Sequence, residues 1–317
     1  MLIGTRYHFI LLVLLLMIAG YPGVAQDKRP SVLLAAVGDV MPARTVTARL
    51  REHGTAWAWE GIAADLKRAD LRLCNLETAA CTGGTAVPKR YSFRVTPTLA
   101  KDVLTAGHFS IISLANNHTY DYGRTGLAQT ASAMDEAGFT TAGIGTRRSG
   151  AIAPRYVTCH GLRIAFVAYV YWTPEGYLPS EQGACLATLD PRTFAREISL
   201  AKRHADVLIV SVHWGIEYQT MPTPEQRRLA KAAIDAGADV IIGHHPHVAQ
   251  PVEVYHGHPI CYSLGNCLFD RSGDKVSNGS LIFIRLSRGC AVVEQQKPLR
   301  IVDARPMPAS ATRFGTR

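Results

Sequence analysis

Five apolar runs of this chain end in residues able to bind metals or move protons. Val32–Val37 ends in Gly38-Asp39, Leu71–Cys74 in Asn75-Leu76-Glu77, and Ser110–Ala115 in Asn116-Asn117-His118. Leu208–Val212 ends in His213-Trp214-Gly215, and Val240–Ile242 in Gly243-His244-His245-Pro246-His247. Ligands of open α/β sheets sit beyond the carboxyl ends of the strands, so five such ends predict one shared edge. That edge would gather Asp39, Glu77, Asn117, His118, His213, His245 and His247. Carboxylate, amide and imidazole donors suit Mn²⁺, Zn²⁺ or Fe²⁺ better than Ca²⁺, and the lack of thiolates argues against a structural zinc. Seven candidates exceed one tetrahedral shell. Two ions sharing a carboxylate, Asp39 or Glu77, would use them and would clamp the attacking and leaving oxygens of a displacement.

His118 is better placed as a general acid than as a ligand. Asp121, three residues on, is spaced to accept from its second ring nitrogen and fix the tautomer. Singly, each motif has a plainer reading: Gly-Asp and Asn-Asn are common turn pairs, and a lone His often sits in a core. Three imidazoles around Pro246 have little packing logic, and the joint placement at strand ends carries the argument. Arg44, shortly after Asp39, is a candidate for holding an anionic group bidentately. The aromatic run Tyr169–Tyr177 is read as core, with a groove wall as the alternative.

The elements that would position these groups alternate. Strand-like runs are followed by helical stretches at Trp59–Arg68, Thr98–Ala106, Thr125–Ala137, Pro191–His204 and Pro224–Ala236, a βα pattern that favours mainly parallel sheet. Arg155–Cys159 with Arg163–Val170 reads as a hairpin. From Pro251 the pattern is hairpins: Val252–Tyr255 with Ile260–Leu264, then Leu281–Leu286 with Ala291–Gln295. Two sheets packed face to face, with helices outside, accommodate both patterns. One domain is expected over residues 26–305, with a loose tail from Pro306 to Arg317.

The 317 residues are 47% hydrophobic and 19% charged, enough for a substantial core and inconsistent with a disordered chain. The net charge of +9 is spread in single residues and pairs such as Lys67-Arg68 and Lys89-Arg90, never in a run. A nucleic-acid partner is therefore not expected; a solvated basic surface is, with attraction to an anionic substrate as the alternative. Arg6, the apolar stretch Phe9–Ala19 and the small residues Gly23 and Ala25 read as a signal peptide over residues 1–25, cut after Ala25. The stretch is short of the roughly 20 residues of a bilayer span. A secreted, periplasmic or cell-envelope location follows, with an uncleaved tether as the alternative. Seven cysteines leave at least one thiol unpaired; Cys74 and Cys81 are spaced to bridge, while the others read as small buried hydrophobes.

Taken in order, Gly38-Asp39-Val40-Met41, Asn75-Leu76-Glu77, Asn116-Asn117-His118 with Asp121-Tyr122-Gly123, and His213-Trp214-Gly215 carry a resemblance. Gly243-His244-His245-Pro246-His247-Val248 and Tyr262-Ser263-Leu264-Gly265-Asn266 complete it. The set resembles the CapA (poly-γ-glutamate capsule synthesis) family, itself similar to the calcineurin-like metallophosphatases. The resemblance implies a four-layer α/β/β/α sandwich and a part in making or exporting an anionic polymer such as poly-γ-glutamate. It also implies membrane-bound synthesis and export partners. It carries over Asp39, Glu77, Asn117, His213, His245 and His247 as ligands of one or two divalent ions, and His118 as proton donor. His244 is an alternative to His245, and Arg44, His244 and Asn266 stand as candidate substrate contacts. The chain departs from the phosphatase pattern where Met41 replaces a usual His and Glu77 a usual Asp. Polymer hydrolysis or release, phosphoester hydrolysis and a non-catalytic scaffold are the three functions to separate.

Overall fold

A computed structural model describes residues 30–177, 183–270 and 278–309. The signal-peptide segment 1–25 lies outside the described residues. The architecture is the expected α/β/β/α sandwich. In the first sheet the strands run in the order Arg305–Pro308, Cys290–Val302, Asn278–Ser287, Val32–Val40, Leu71–Leu76, Ile111–Ser113, Thr140–Ala142. Those from Val32 onward in this order pair in parallel, and the C-terminal ones are antiparallel. The second sheet runs Val252–Tyr255, His258–Cys261, Val240–His244, Val207–His213, Leu162–Val170, Arg155–Cys159.

Both central strands are covered on two faces, which is why they read as unbroken apolar runs rather than alternating ones. All nine residues of Val32–Val40 and all seven of Val207–His213 are buried. Helices close the outer faces. Pro224–Asp235 begins at a capping box in which Thr223 and Gln226 each bond the other's backbone N–H, and it buries Leu229, Ala230, Ala233 and Ile234. Pro97–Ala106 starts where the Thr96 hydroxyl accepts from Leu99 N–H.

Two glycines let backbone cross directly beneath the shared edge. A Cβ on Gly38 would lie 1.8 Å from the Gly265 carbonyl oxygen, and one on Gly243 would lie 1.9 Å from that of Tyr262. Asp39 N–H donates to Gly265 O at 2.9 Å, and Leu264 N–H donates to Gly243 O at 3.0 Å. The segment Leu264–Asn266 thereby ties the two sheets together under the site.

Some local expectations are corrected. Trp59–Arg68 is not one helix but a 3₁₀ turn, Ala56–Trp59, and a short helix, Ala63–Lys67. Between them Gly61 packs with no room for a side chain against Pro306 and Met307. That contact belongs to a terminal strand, so the chain expected to be loose from Pro306 is paired as far as Pro308. The helix Thr45–His53 and the small sheet of Ala79–Ala80 with Arg94–Val95 carry too little periodic apolar character to be seen in sequence. All seven thiols are free, including Cys74 and Cys81, both buried. Burial raises the Cys74 and Cys81 thiols above their ordinary range. Among the described residues no helix is long and apolar enough to cross a membrane.

Candidate metal centre

The five strand ends do converge. Asp39, fully buried, lies near the end of its strand with an Asn level with it on each side, Asn75 and Asn266, both on parallel neighbours. Asn75 Nδ2 donates to Asp39 Oδ1 at 2.9 Å, and His245 N–H donates to Oδ2 at 3.2 Å. His244 Nδ1 is 3.3 Å from Oδ1 without hydrogen-bond geometry, and His247 Nδ1 is 3.6 Å from Oδ2. Burial resists ionisation of Asp39, but the imidazoles of His244, His213 and His247 outweigh it and hold the carboxyl well below its usual range.

Glu77 is in the opposite condition. It is fully buried, and neither carboxylate oxygen has a hydrogen-bond partner. Burial first, and the charge of Asp39 second, push its pKa well up. An unpartnered buried carboxylate is costly unless a cation or a proton joins it. Its surroundings fit a cation: His213 Nε2 is 3.7 Å from Oε1 and His118 Nε2 is 3.9 Å away. Two sets of ligand atoms lie within 4.8 Å of one another, Glu77–His213–His245 and Asp39–Glu77–His247. Glu77 is common to both sets, and Asp39 belongs to the second. Asn117 Oδ1, 2.8 Å from His213 Nε2, adds a fourth donor beside the first set.

Burial, reinforced by neighbouring His245, holds the His213 ring well below its ordinary pKa; burial with His247 pushes His245 down to about 3. Both rings are therefore neutral at physiological pH, the form that ligates metals. Between the histidines left open by sequence, His245 stands with Glu77 and His213, while His244 lies behind Asp39. Met41, where a further ligand would be expected, is fully buried, and its sulfur accepts from Ala43 N–H at 3.3 Å.

His118 stacks on Phe93 with ring centroids 3.9 Å apart, and its Nδ1 meets Asp121 Oδ2 at 2.8 Å. The carboxylate can only accept, so Nδ1 carries the proton and Nε2 faces the Glu77 side. The other candidates fall nearby. Asn266 Oδ1 is 2.9 Å from His247 Nδ1, so this side chain orients a candidate ligand. Arg44 pairs with Asp270, Nε to Oδ2 at 3.1 Å, and lies beside the Tyr91 and Phe93 rings at the rim. In the aromatic run, Tyr169 packs in the core against Phe194 and Tyr177 against Tyr120; Trp172 alone reaches the centre, edge-on to His245 at 4.4 Å.

Sequence reasoning gave no site role to Asn75, Asn116, Phe93 or Lys89. Asn116 is a hub: its amide nitrogen donates to Asn75 Oδ1 and Leu76 O, and its oxygen accepts from the backbone of His118 and Thr119. The doubled Asn116-Asn117 was the available signal, one amide for the loop and one for the centre. Backbone strain also marks the place. Arg44, Tyr218, His245 and His247 all have positive φ, 55°, 63°, 98° and 60°, a conformation that non-glycine residues keep only where surrounding structure enforces it.

The chain is similar to known proteins in sequence and in fold. Residues 33–271 match the family model described as bacterial capsule synthesis protein PGA_cap. The chain is 30% identical over 296 residues to a capsule biosynthesis protein CapA of Bacillus anthracis, covering 91% of this chain and 72% of that one. It is 36% identical over 207 residues to a PGA biosynthesis protein CapA of Bacillus subtilis, covering 65% of this chain and 54% of its relative. A hypothetical protein from Thermus thermophilus shares the fold at 17% identity and a TM-score of 0.52, over 84% of this chain and 97% of that one. With three-quarters of its length matched in this way, the chain belongs to the bacterial capsule synthesis protein family PGA_cap.

Proposed function

We propose that the protein acts in the cell envelope on an anionic polymer of the poly-γ-glutamate kind, at a centre of one or two divalent cations, Mn²⁺, Zn²⁺ or Fe²⁺. Its ligands are Asp39, Glu77, Asn117, His213, His245 and His247. The observation that carries this reading is Glu77, a buried carboxylate with no hydrogen-bond partner and neutral imidazoles around it. The names of the Bacillus relatives support the capsule role, and the signal-like start supports export, with membrane-bound synthesis and export proteins as partners.

Cations held by these six side chains would supply positive charge and an activated water. The chain's own residues do the rest. Trp172 and Phe93 pack against His245 and His118, and Asn75 and Asn266 hold Asp39 and His247 in place. His118, held by Asp121 with its Nε2 free, would take up the proton that the attacking water releases and pass it from Nε2 to the leaving nitrogen. Arg44 at the rim offers charge to a carboxylate of the polymer.

Purified protein incubated with poly-γ-glutamate and Mn²⁺ or Zn²⁺ tests this directly. Metal-dependent shortening or release of the polymer, lost in Glu77→Gln, is expected; polymer neither bound nor cleaved in any metal form would refute it. A shared carboxylate among imidazoles equally suits phosphoester hydrolysis, so a panel of phosphomonoesters and diesters belongs in the same assay. Activity there that survives Asp39→Ala and His213→Ala would not belong to this centre. Polymer or partner binding that withstands chelation, without turnover, would point to the scaffold role instead.

A further inference from the structure

Lys89 belongs to the pair Lys89-Arg90, which the sequence presents as part of a solvated basic surface. The fold buries it. Its side chain is 5% exposed and its ammonium makes an ion pair with Oδ1 of Asp121, itself wholly buried. The same ammonium donates to the backbone carbonyl of Asn117 at 2.8 Å. A lysine is rarely buried to this degree without a purpose for its charge, because its desolvation must be matched by strong partners.

Those two partners are the stems of the two functions proposed for the centre. With Lys89 on Oδ1, the other Asp121 oxygen is left to the Phe93 N–H and to His118 Nδ1. With Lys89 on its carbonyl, the Asn117 peptide is fixed in the orientation that presents Oδ1 to His213 Nε2 at 2.8 Å. The lysine reaches both from outside the Asn116–Asp121 loop. Its own segment is clamped there by Val87 N–H donating to Asp121 O at 2.8 Å and by the pairing of Arg94–Val95 with Ala79–Ala80.

We infer that Lys89 is a positioning residue that sets, through one buried ammonium, both the ring orientation of the proton donor His118 and the placement of the cation ligand Asn117. The metal half of this inference rests on the cation reading above; the His118 half does not. Outer-shell partners of this kind ordinarily change metal affinity about 10–100-fold.

The test uses the full mature chain, with Lys89→Met, Lys89→Ala and the exposed-site control Lys67→Ala. Nitrogen-15 spectra of the His118 ring are recorded without metal, and Zn²⁺ and Mn²⁺ affinities are measured by titration. In the unsubstituted protein His118 should show a single tautomer protonated at Nδ1. In Lys89→Met that signature should give way to mixed tautomers, and metal affinity should fall about 10–100-fold. Propylammonium added to Lys89→Ala should restore both, while Lys67→Ala changes neither. Unaltered spectra and affinities in Lys89→Met overturn the inference. So does a Lys89→Ala protein, folded or unfolded, that the amine fails to restore, because a purely architectural lysine would behave in that way. A protein that binds no cation, yet loses its single His118 tautomer in Lys89→Met, would sink the cation reading and leave the His118 role standing.

Discussion

Glu77 and His213 meet across the seam between the two sheets, Oε1 to Nε2 at 3.7 Å. One follows a strand of the first sheet and the other ends a central strand of the second, and both are wholly buried. A cation between them would therefore join the two halves of the sandwich as well as create a reactive centre. Ligand binding to the folded state alone stabilises it by mass action. Saturating Zn²⁺ or Mn²⁺ is expected to raise the melting temperature, and a chelator to lower it; calorimetry with and without EDTA measures the difference.

The isolation of Glu77 sets stability against function. Replacing it with methionine removes an unpartnered buried acid, so the metal-free protein should become more stable, by about 1–3 kcal/mol in urea unfolding. Metal binding should be lost in the same variant. Destabilisation of the metal-free protein would show that Glu77 has a partner in the fold after all.

Asn266 acts on the centre through His247. With Asn266→Ala the ring loses its Nδ1 partner, and metal affinity should fall about tenfold with little change in melting temperature. Isothermal titration separates the two effects. An unchanged affinity would make the 2.9 Å contact incidental.

Gly38 admits no substitution. Even alanine would set its Cβ against the Gly265 carbonyl, parting the Asp39 strand from the Leu264–Asn266 segment. Gly38→Ala should cost about 3 kcal/mol or more, at the upper end of overpacking. A denaturation midpoint near that of the unsubstituted protein would refute this.

Acid sensitivity is expected from Glu253, which joins its strand to the helix Pro224–Asp235. Its carboxylate pairs with Arg227 at 3.0 Å and Lys231 at 3.1 Å, and accepts from the Tyr262 hydroxyl at 2.9 Å. Burial opposes ionisation, but Lys231, Tyr262 and Arg227 together hold the group below its ordinary 4.5. Because the folded pKa lies below the unfolded one, this stabilisation is complete above pH 4.5 and is lost as pH falls through the lowered value. The pairs are partly exposed, so about 1 kcal/mol is at stake. Urea midpoints of Glu253→Gln and the unsubstituted protein, compared from about pH 7 to about pH 3, should converge at the acid end.

Much of this protein is determined by local sequence. Strands buried on both faces must be unbroken apolar runs, so Val32–Val40, Val207–His213 and Val240–His244 announced themselves. The polar residues that end them had to gather at one edge, because parallel strands point the same way. That logic brought Asp39, Glu77, Asn117, His118, His213, His245 and His247 together without any knowledge of contacts. What the tertiary structure decided is how each polar group is satisfied. Asp39 and Glu77 look alike in sequence, yet one is held by two donors and three imidazoles while the other has no hydrogen-bond partner. His244 and His245 are adjacent, yet only one stands with Glu77. Lys89 reads as a surface charge and is instead enclosed over the Asn116–Asp121 loop. Such differences depend on partners between 28 and 206 residues distant along the chain. Hydrogen bonds and desolvation depend on separations in space that no local pattern encodes.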